Sequence, residues 1–183
     1  LGFSAVQFHD DDAVPNMNDL SEDGIRKAAR EVKAILDKYH MEAEFVAPRL
    51  WMDPHTVDGG FMSTSKEDRE FAMWRSYRSI DIANELGAPM IGLWLAREGT
   101  LCAESKSPVW ATERLVEAVD KMLDYDPQIK IFIESKPNEP IELGVKTAQP
   151  CSRATSRMFH KPSIPIFQAK RGFDSATTES NAA

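Results

Sequence analysis

The chain has 183 residues, 42% of them apolar, enough to bury a core and to exclude disorder throughout; its length suits one ordinary domain or part of a barrel of about 250 residues. A formal net charge of −7 argues against the basic face that a nucleic-acid footprint needs, and no apolar run approaches the roughly 20 residues of a membrane span. Cys102 and Cys151 offer neither a disulfide framework nor a zinc spacing, so a reducing, cytoplasmic setting is expected. No signal-peptide pattern opens the chain, and Leu1 in place of an initiator methionine leads us to expect an upstream portion.

The first strand is expected over residues 4–9, and it runs directly into Asp10-Asp11-Asp12 and a turn at Val14-Pro15-Asn16. A helix follows. Ser21 is its N-cap, Glu22 and Asp23 suit the dipole of its first turn, and Ile25, Ala28, Ala29, Val32, Ile35, Leu36 and Tyr39 form its inner face. The second strand spans residues 43–47 and opens onto a long loop carrying Arg49, Trp51, His55, Asp58, Gly59, Gly60 and Phe61; loops of that length are often functional. The next helix begins with a capping-box pattern at Ser65 to Asp68, places Phe71, Trp74, Tyr77, Ile80, Ala83 and Leu86 on one side, and stops at Gly87.

The third strand, residues 89–94, has few polar positions and reads as buried on both faces. Pro108 suits the opening turn of a helix whose stripe is Ala111, Leu115, Ala118, Val119, Met122 and Leu123, and residues 129–134 form a fourth strand. The order βαβαβαβ implies right-handed crossovers and a parallel sheet. The fold class expected is α/β, a partial TIM-type (β/α)8 barrel over residues 1–142.

From about Leu143 the periodicity stops. Residues 1–142 carry 16 basic and 27 acidic side chains, a net −11, whereas residues 143–183 carry 6 and 2, a net +4. Pro150, Pro162 and Pro165 interrupt any regular element there, so residues 143–183 are expected to be an irregular tail, either disordered or the product of a reading-frame shift.

The chemical residues follow the strands. His9 with Asp12 is an acid–base candidate, because imidazole titrates near neutrality and a carboxylate on one nitrogen fixes the tautomer. Taken alone, the same residues also suit a solvated loop. Trp94 ends a strand, where a ring is ordinary core packing or a flat wall against a sugar, with Phe61 as a second wall. Arg97 and Glu98 suit pairing with each other or with neighbouring loops. In an extended segment Glu134 and Lys136 share one side, where a carboxylate suits a hard cation and an ammonium suits a substrate oxygen; the alternative is a surface ion pair.

Phe8-His9-Asp10-Asp11-Asp12-Ala13-Val14-Pro15, Asp58-Gly59-Gly60-Phe61, Leu93-Trp94 with Arg97-Glu98-Gly99, and Lys136-Pro137-Asn138-Glu139-Pro140 together resemble the xylose isomerase family, its shorter bacterial-type members in particular. The resemblance covers about residues 1–140. It implies a TIM-type barrel and a metal-dependent aldose–ketose isomerase converting D-xylose to D-xylulose with two divalent cations, magnesium, manganese or cobalt. By that resemblance His9 helps open the sugar ring, Asp12 orients it, Trp94 and Phe61 line the sugar pocket, Glu134 ligates a metal, and Lys136 binds the substrate oxygen at carbon one. A small-molecule sugar is the implied partner, without nucleic acid or membrane, and the family is usually homo-oligomeric.

Ser135 stands where the family has proline, and Leu95-Ala96 replaces a pair of glycines. The family's remaining metal ligands come from later strands, and no matching segment follows Pro140; Asp174, Glu179 and His160 lack the required context. The chain is therefore expected to be an incomplete isomerase, inactive by itself and retaining at most one matching ligand. The other classes that fit are a metal-dependent epimerase or endonuclease on a related barrel, and a noncatalytic half barrel used for binding or assembly.

Overall fold

The computed structural model describes residues 2–98 and 106–134. Lys136, both cysteines and the boundary at Leu143 lie outside them. Four strands, β1 (Ala5–His9), β2 (Glu42–Ala47), β3 (Met90–Trp94) and β4 (Lys130–Glu134), alternate with helices α1 (Asp10–Ala13), α2 (Glu22–Lys38), α3 (Lys66–Leu86) and α4 (Pro108–Tyr125). The strands form one sheet in the order β1-β2-β3-β4, every neighbouring pair parallel, as the alternation of elements requires. Register runs from Ala5 opposite Glu42 and Val46 opposite Ile91 to Trp94 opposite Glu134.

The helices start and stop where the local chemistry directs. Ser21, Ser65 and Ser107 each accept a backbone N–H of the first turn, and Pro108 occupies a position where its missing donor costs nothing. Gly87 ends α3 with φ +73°, a left-handed conformation that favours glycine. One side of the sheet packs on these helices: Ile91 and Leu93 of β3 meet a core that includes Ile25, Ile80, Leu86, Leu115, Val119 and Met122. Alternation along the strand sends Gly92 and Trp94 to the opposite side.

The stripe expected on α4 is buried in full. On α2 the burial is narrower, since Ile35 and Tyr39 are exposed: Ile35 sits about 100° around the helix from Leu36, and Tyr39 lies past its last turn. On α3 the buried face is wider and includes charge. Phe71, Trp74 and Tyr77 are half-buried, whereas Arg75, Arg78 and Asp81 are buried in an ionic network. Arg78 pairs with Glu22 and Asp81, Arg26 also reaches Asp81, and the Tyr125 hydroxyl donates to it. Hydropathy period alone hides such a face, because each charge is placed by its partner.

Candidate functional site

The turn after β1 is built around Asp10, a fully buried carboxylate at the start of α1. Arg75 from α3 pairs with both its oxygens, Nη2 donating to Oδ1 at 2.9 Å and Nε standing 2.7 Å from Oδ2 as an ion pair; the Ser79 hydroxyl and the backbone N–H groups of Asp11 and Arg49 complete its shell. Burial raises the Asp10 carboxyl above its usual range, and Arg75 opposes that shift. The Asp10-Asp11-Asp12 run is thus a short helix pinned by its first residue.

That anchor presents the next two carboxylates to the loop after β2. Arg49 spans them, its Nε 2.7 Å from Asp11 Oδ1 and its Nη2 2.9 Å from Asp12 Oδ1. The other oxygen of Asp12 lies 2.9 Å from His9 Nδ1 and accepts the His9 backbone N–H at 3.3 Å. Burial works against ionisation of Asp12, but the hydrogen bonds from His9 and the nearby Arg49 charge outweigh it and hold the carboxyl below its ordinary value. An ionised carboxylate only accepts, so neutral His9 carries its proton on Nδ1 and turns Nε2 outward as the acceptor.

His9 opens into a cavity of about 430 Å³ at the C-terminal ends of the strands, lined also by Gln7, Asp12, Phe45, Trp51, Gly92, Trp94, Phe132 and Glu134. Trp51 packs edge-to-face on His9, with centroids 5.2 Å apart, and on Trp94 at 4.4 Å, so the two indoles make a continuous apolar wall beside the imidazole. The floor is Phe132 packed on Phe45 at 4.9 Å. It needs glycine at 92, because a Cβ there would stand 2.5 Å from the Phe132 ring. Glu134, opposite Trp94 in register, puts an exposed carboxylate on the far side of the cavity from β1.

The structure therefore brings His9, Asp12, Trp94 and Glu134 to one cavity. Phe61 stands apart: its ring is 2% exposed within the core, and Trp51, unassigned from the sequence, supplies the second aromatic surface. Its signal was position alone, the loop leaving the C-terminal end of a strand. Glu98 serves the neighbouring loop, accepting the N–H groups of Gly60, Phe61 and Met62 at 2.9, 2.9 and 2.8 Å. Lys106 closes the same loop by donating to the Asp58 carbonyl at 2.6 Å. Gly59 turns there with φ +83°, and a Cβ on it would meet the Arg97 carbonyl at 2.8 Å. A shallower hollow of about 490 Å³, lined by Asn18, Asp53, Pro54, His55, Phe71 and Trp74, includes neither the His9–Asp12 pair nor a strand end.

Among the described residues no group of three or more His, Cys, Asp or Glu side chains is placed to hold a metal ion. Glu134 can supply one ligand, and the described residues by themselves do not fit a two-cation centre. No helix among them is long and apolar enough to cross a membrane.

Parallel βα units with polar residues gathered at the C-terminal strand ends define a protein of the TIM-barrel class. Residues 1–164 match the family described as xylose isomerase-like TIM barrel, and the chain belongs to it. Three solved structures share the fold. A xylose isomerase domain protein from Planctomyces limnophilus has 18% identity and a TM-score of 0.57, covering 88% of this chain and 51% of its own. A D-psicose 3-epimerase from Clostridium cellulolyticum H10 gives 16% and 0.60, covering 90% and 53%. An AP endonuclease of family 2 from Brucella melitensis gives 15% and 0.55, covering 90% and 57%. The chain spans about half the length of these proteins.

Proposed function

We propose that this cavity is the ring-opening and sugar-holding part of an aldose–ketose isomerase site. The observation that carries the reading is the convergence of the His9–Asp12 pair, the Trp51–Trp94 wall and the Glu134 carboxylate on one cavity of about 430 Å³. A sugar offers an apolar face of C–H groups and an edge of hydroxyls; the indoles suit the first and the ionisable groups the second. His9 Nε2, with Asp12 fixing the tautomer, takes the proton of the anomeric hydroxyl and returns it to the ring oxygen as the bond between that oxygen and carbon one breaks, giving the linear aldehyde, the form an isomerase acts on. The aromatic wall limits water beside the opened chain. Lys136, by family resemblance, is assigned to the carbonyl oxygen. Glu134, by the same resemblance, is assigned as one carboxylate ligand of a divalent cation, which when bound would stabilise charge on the sugar oxygens.

Ring opening can be tested without isomerisation, because opening and reclosing exchanges the anomers. Pure α-D-xylose is mixed with the chain, and the approach to anomeric equilibrium is followed by polarimetry, with indole fluorescence reporting binding. We expect acceleration over buffer that His9→Asn removes, by the roughly 100-fold or more that a positioned base supplies. A chain that quenches with xylose but leaves the anomerisation rate at the buffer value refutes the assignment of His9; no quenching at tens of millimolar xylose refutes the sugar site, a limit set by the order of 4 kcal/mol for millimolar binding.

A further inference from the structure

We propose that Arg49 is a positioning residue for this site, holding Asp12 on His9 and Trp51 against the imidazole from a single guanidinium. The inference rests on the ring-opening reading above and adds a residue to it.

Arg49 is placed by three independent attachments. Its backbone N–H donates to buried Asp10 at 3.2 Å, its Nε reaches Asp11, and its Nη2 reaches Asp12. The guanidinium also stands 5.6 Å from the centre of the Trp51 ring, within the range of cation–π attraction. It is 23% exposed, compared with 54% for the Asp12 side chain, so Arg49 is the more fixed member of the pair. A continuous ionic path results. Arg75, 5% exposed, holds Asp10 and Asp11; Asp11 and Asp12 are bridged by Arg49; and Asp12 holds His9.

Without Arg49, Asp12 keeps only His9 as a partner among the described residues and can rotate its exposed carboxylate into water. Two acceptors pointing at a rigid fork cannot rotate in this way. The charged groups facing His9 are Asp12, Arg49 behind it, and Glu134 across the cavity. His9 and Arg49 touch opposite oxygens of the Asp12 carboxylate, so Arg49 acts on His9 through Asp12 and not by contact.

The test is the tautomer of neutral His9, read from long-range 15N–1H spectra of the full chain labelled at histidine, in wild type, Arg49→Met and Arg49→Lys. We expect the wild type to show mainly the Nδ1–H form. Arg49→Met should revert to the Nε2–H form that imidazole prefers in water, with xylose anomerisation lowered roughly 10- to 100-fold, the loss expected for a base misplaced by about 1 Å. Arg49→Lys keeps a charge on Asp12 and should retain the Nδ1–H form. An unchanged tautomer in Arg49→Met overturns the proposal, as does full reversion in Arg49→Lys; the lysine variant decides if the methionine variant does not fold. The spectra need no turnover. A wild-type chain with the Nδ1–H form and no anomerisation refutes the ring-opening reading, whereas wild-type anomerisation with an indifferent Arg49→Met refutes only the role of Arg49.

Discussion

Removing the carboxylate of Glu98 should loosen the neighbouring loop that carries Gly60, Phe61 and Met62 and cost a large part of the stability of the fold. Glu98 is 3% exposed, and its two oxygens are the acceptors for three consecutive N–H groups, those of Gly60, Phe61 and Met62. Burial pushes its carboxyl above the usual range, while these donors and the Lys106 charge oppose the shift. A buried donor left without a partner costs about 1–3 kcal/mol, so Glu98→Ala, which strands three, should cost roughly 3–6 kcal/mol once some water enters the space. Glu98→Gln keeps the oxygen shared by Gly60 and Phe61 and turns an amide donor toward Met62, so about 1.5–3 kcal/mol is expected. Urea unfolding followed by tryptophan fluorescence gives the totals, and hydrogen exchange at residues 60, 61 and 62 locates them. A Glu98→Ala chain within about 1 kcal/mol of wild type, with protection of those three amides intact, would refute the reasoning.

Asp10→Asn should cost about 3–5 kcal/mol in urea unfolding, because it leaves the 5% exposed Arg75 side chain without its main counter-charge; a loss below 1 kcal/mol would show that Asp11 alone suffices. Gly92→Ala should cost roughly 1–3 kcal/mol, since the new methyl must displace the Phe132 ring, and it should weaken xylose binding measured by indole fluorescence. Unchanged stability and affinity would place the cavity floor elsewhere. The hydrogen bond that Asp68 accepts from the His55 ring, together with the neighbouring carboxylates, raises His55 above its ordinary 6.5. Its contribution to stability is therefore complete below pH 6.5 and is lost as pH rises through the higher folded value. Asp68→Asn should lower the NMR titration midpoint of His55 and flatten that pH dependence, and an unmoved midpoint would exclude Asp68 as the cause.

Elements with a local rule were legible in the sequence. The 3.6-residue stripe of α4 and the serine caps of α2, α3 and α4 need no knowledge of the rest of the fold, and the structure follows them. Their alternation with apolar runs was enough for a parallel sheet. Residues whose role is set by a distant partner were not legible. Asp10 looks like one of three loop aspartates until Arg75, 65 positions away, is seen on it. Arg78 and Asp81 break the apolar pattern of α3 because their partners lie on α2, at Tyr125 and on each other. The aromatic wall shows the same limit: Phe61 and Trp51 share one long loop, and only the path of that loop sends Phe61 into the core and Trp51 to His9.

The central claim is that sugar binds against the wall formed by the indoles of Trp51 and Trp94, and the four tryptophans of this chain test it directly. Two line the cavity beside His9, Trp74 lines the shallower hollow with His55, and Trp110 lies on α4. Titrating xylose into 15N-labelled full chain should shift the indole N–H signals of Trp51 and Trp94 together, with one saturation curve, and leave those of Trp74 and Trp110 in place. Saturable shifts confined to Trp74, or no saturable shift at any of the four, would contradict it.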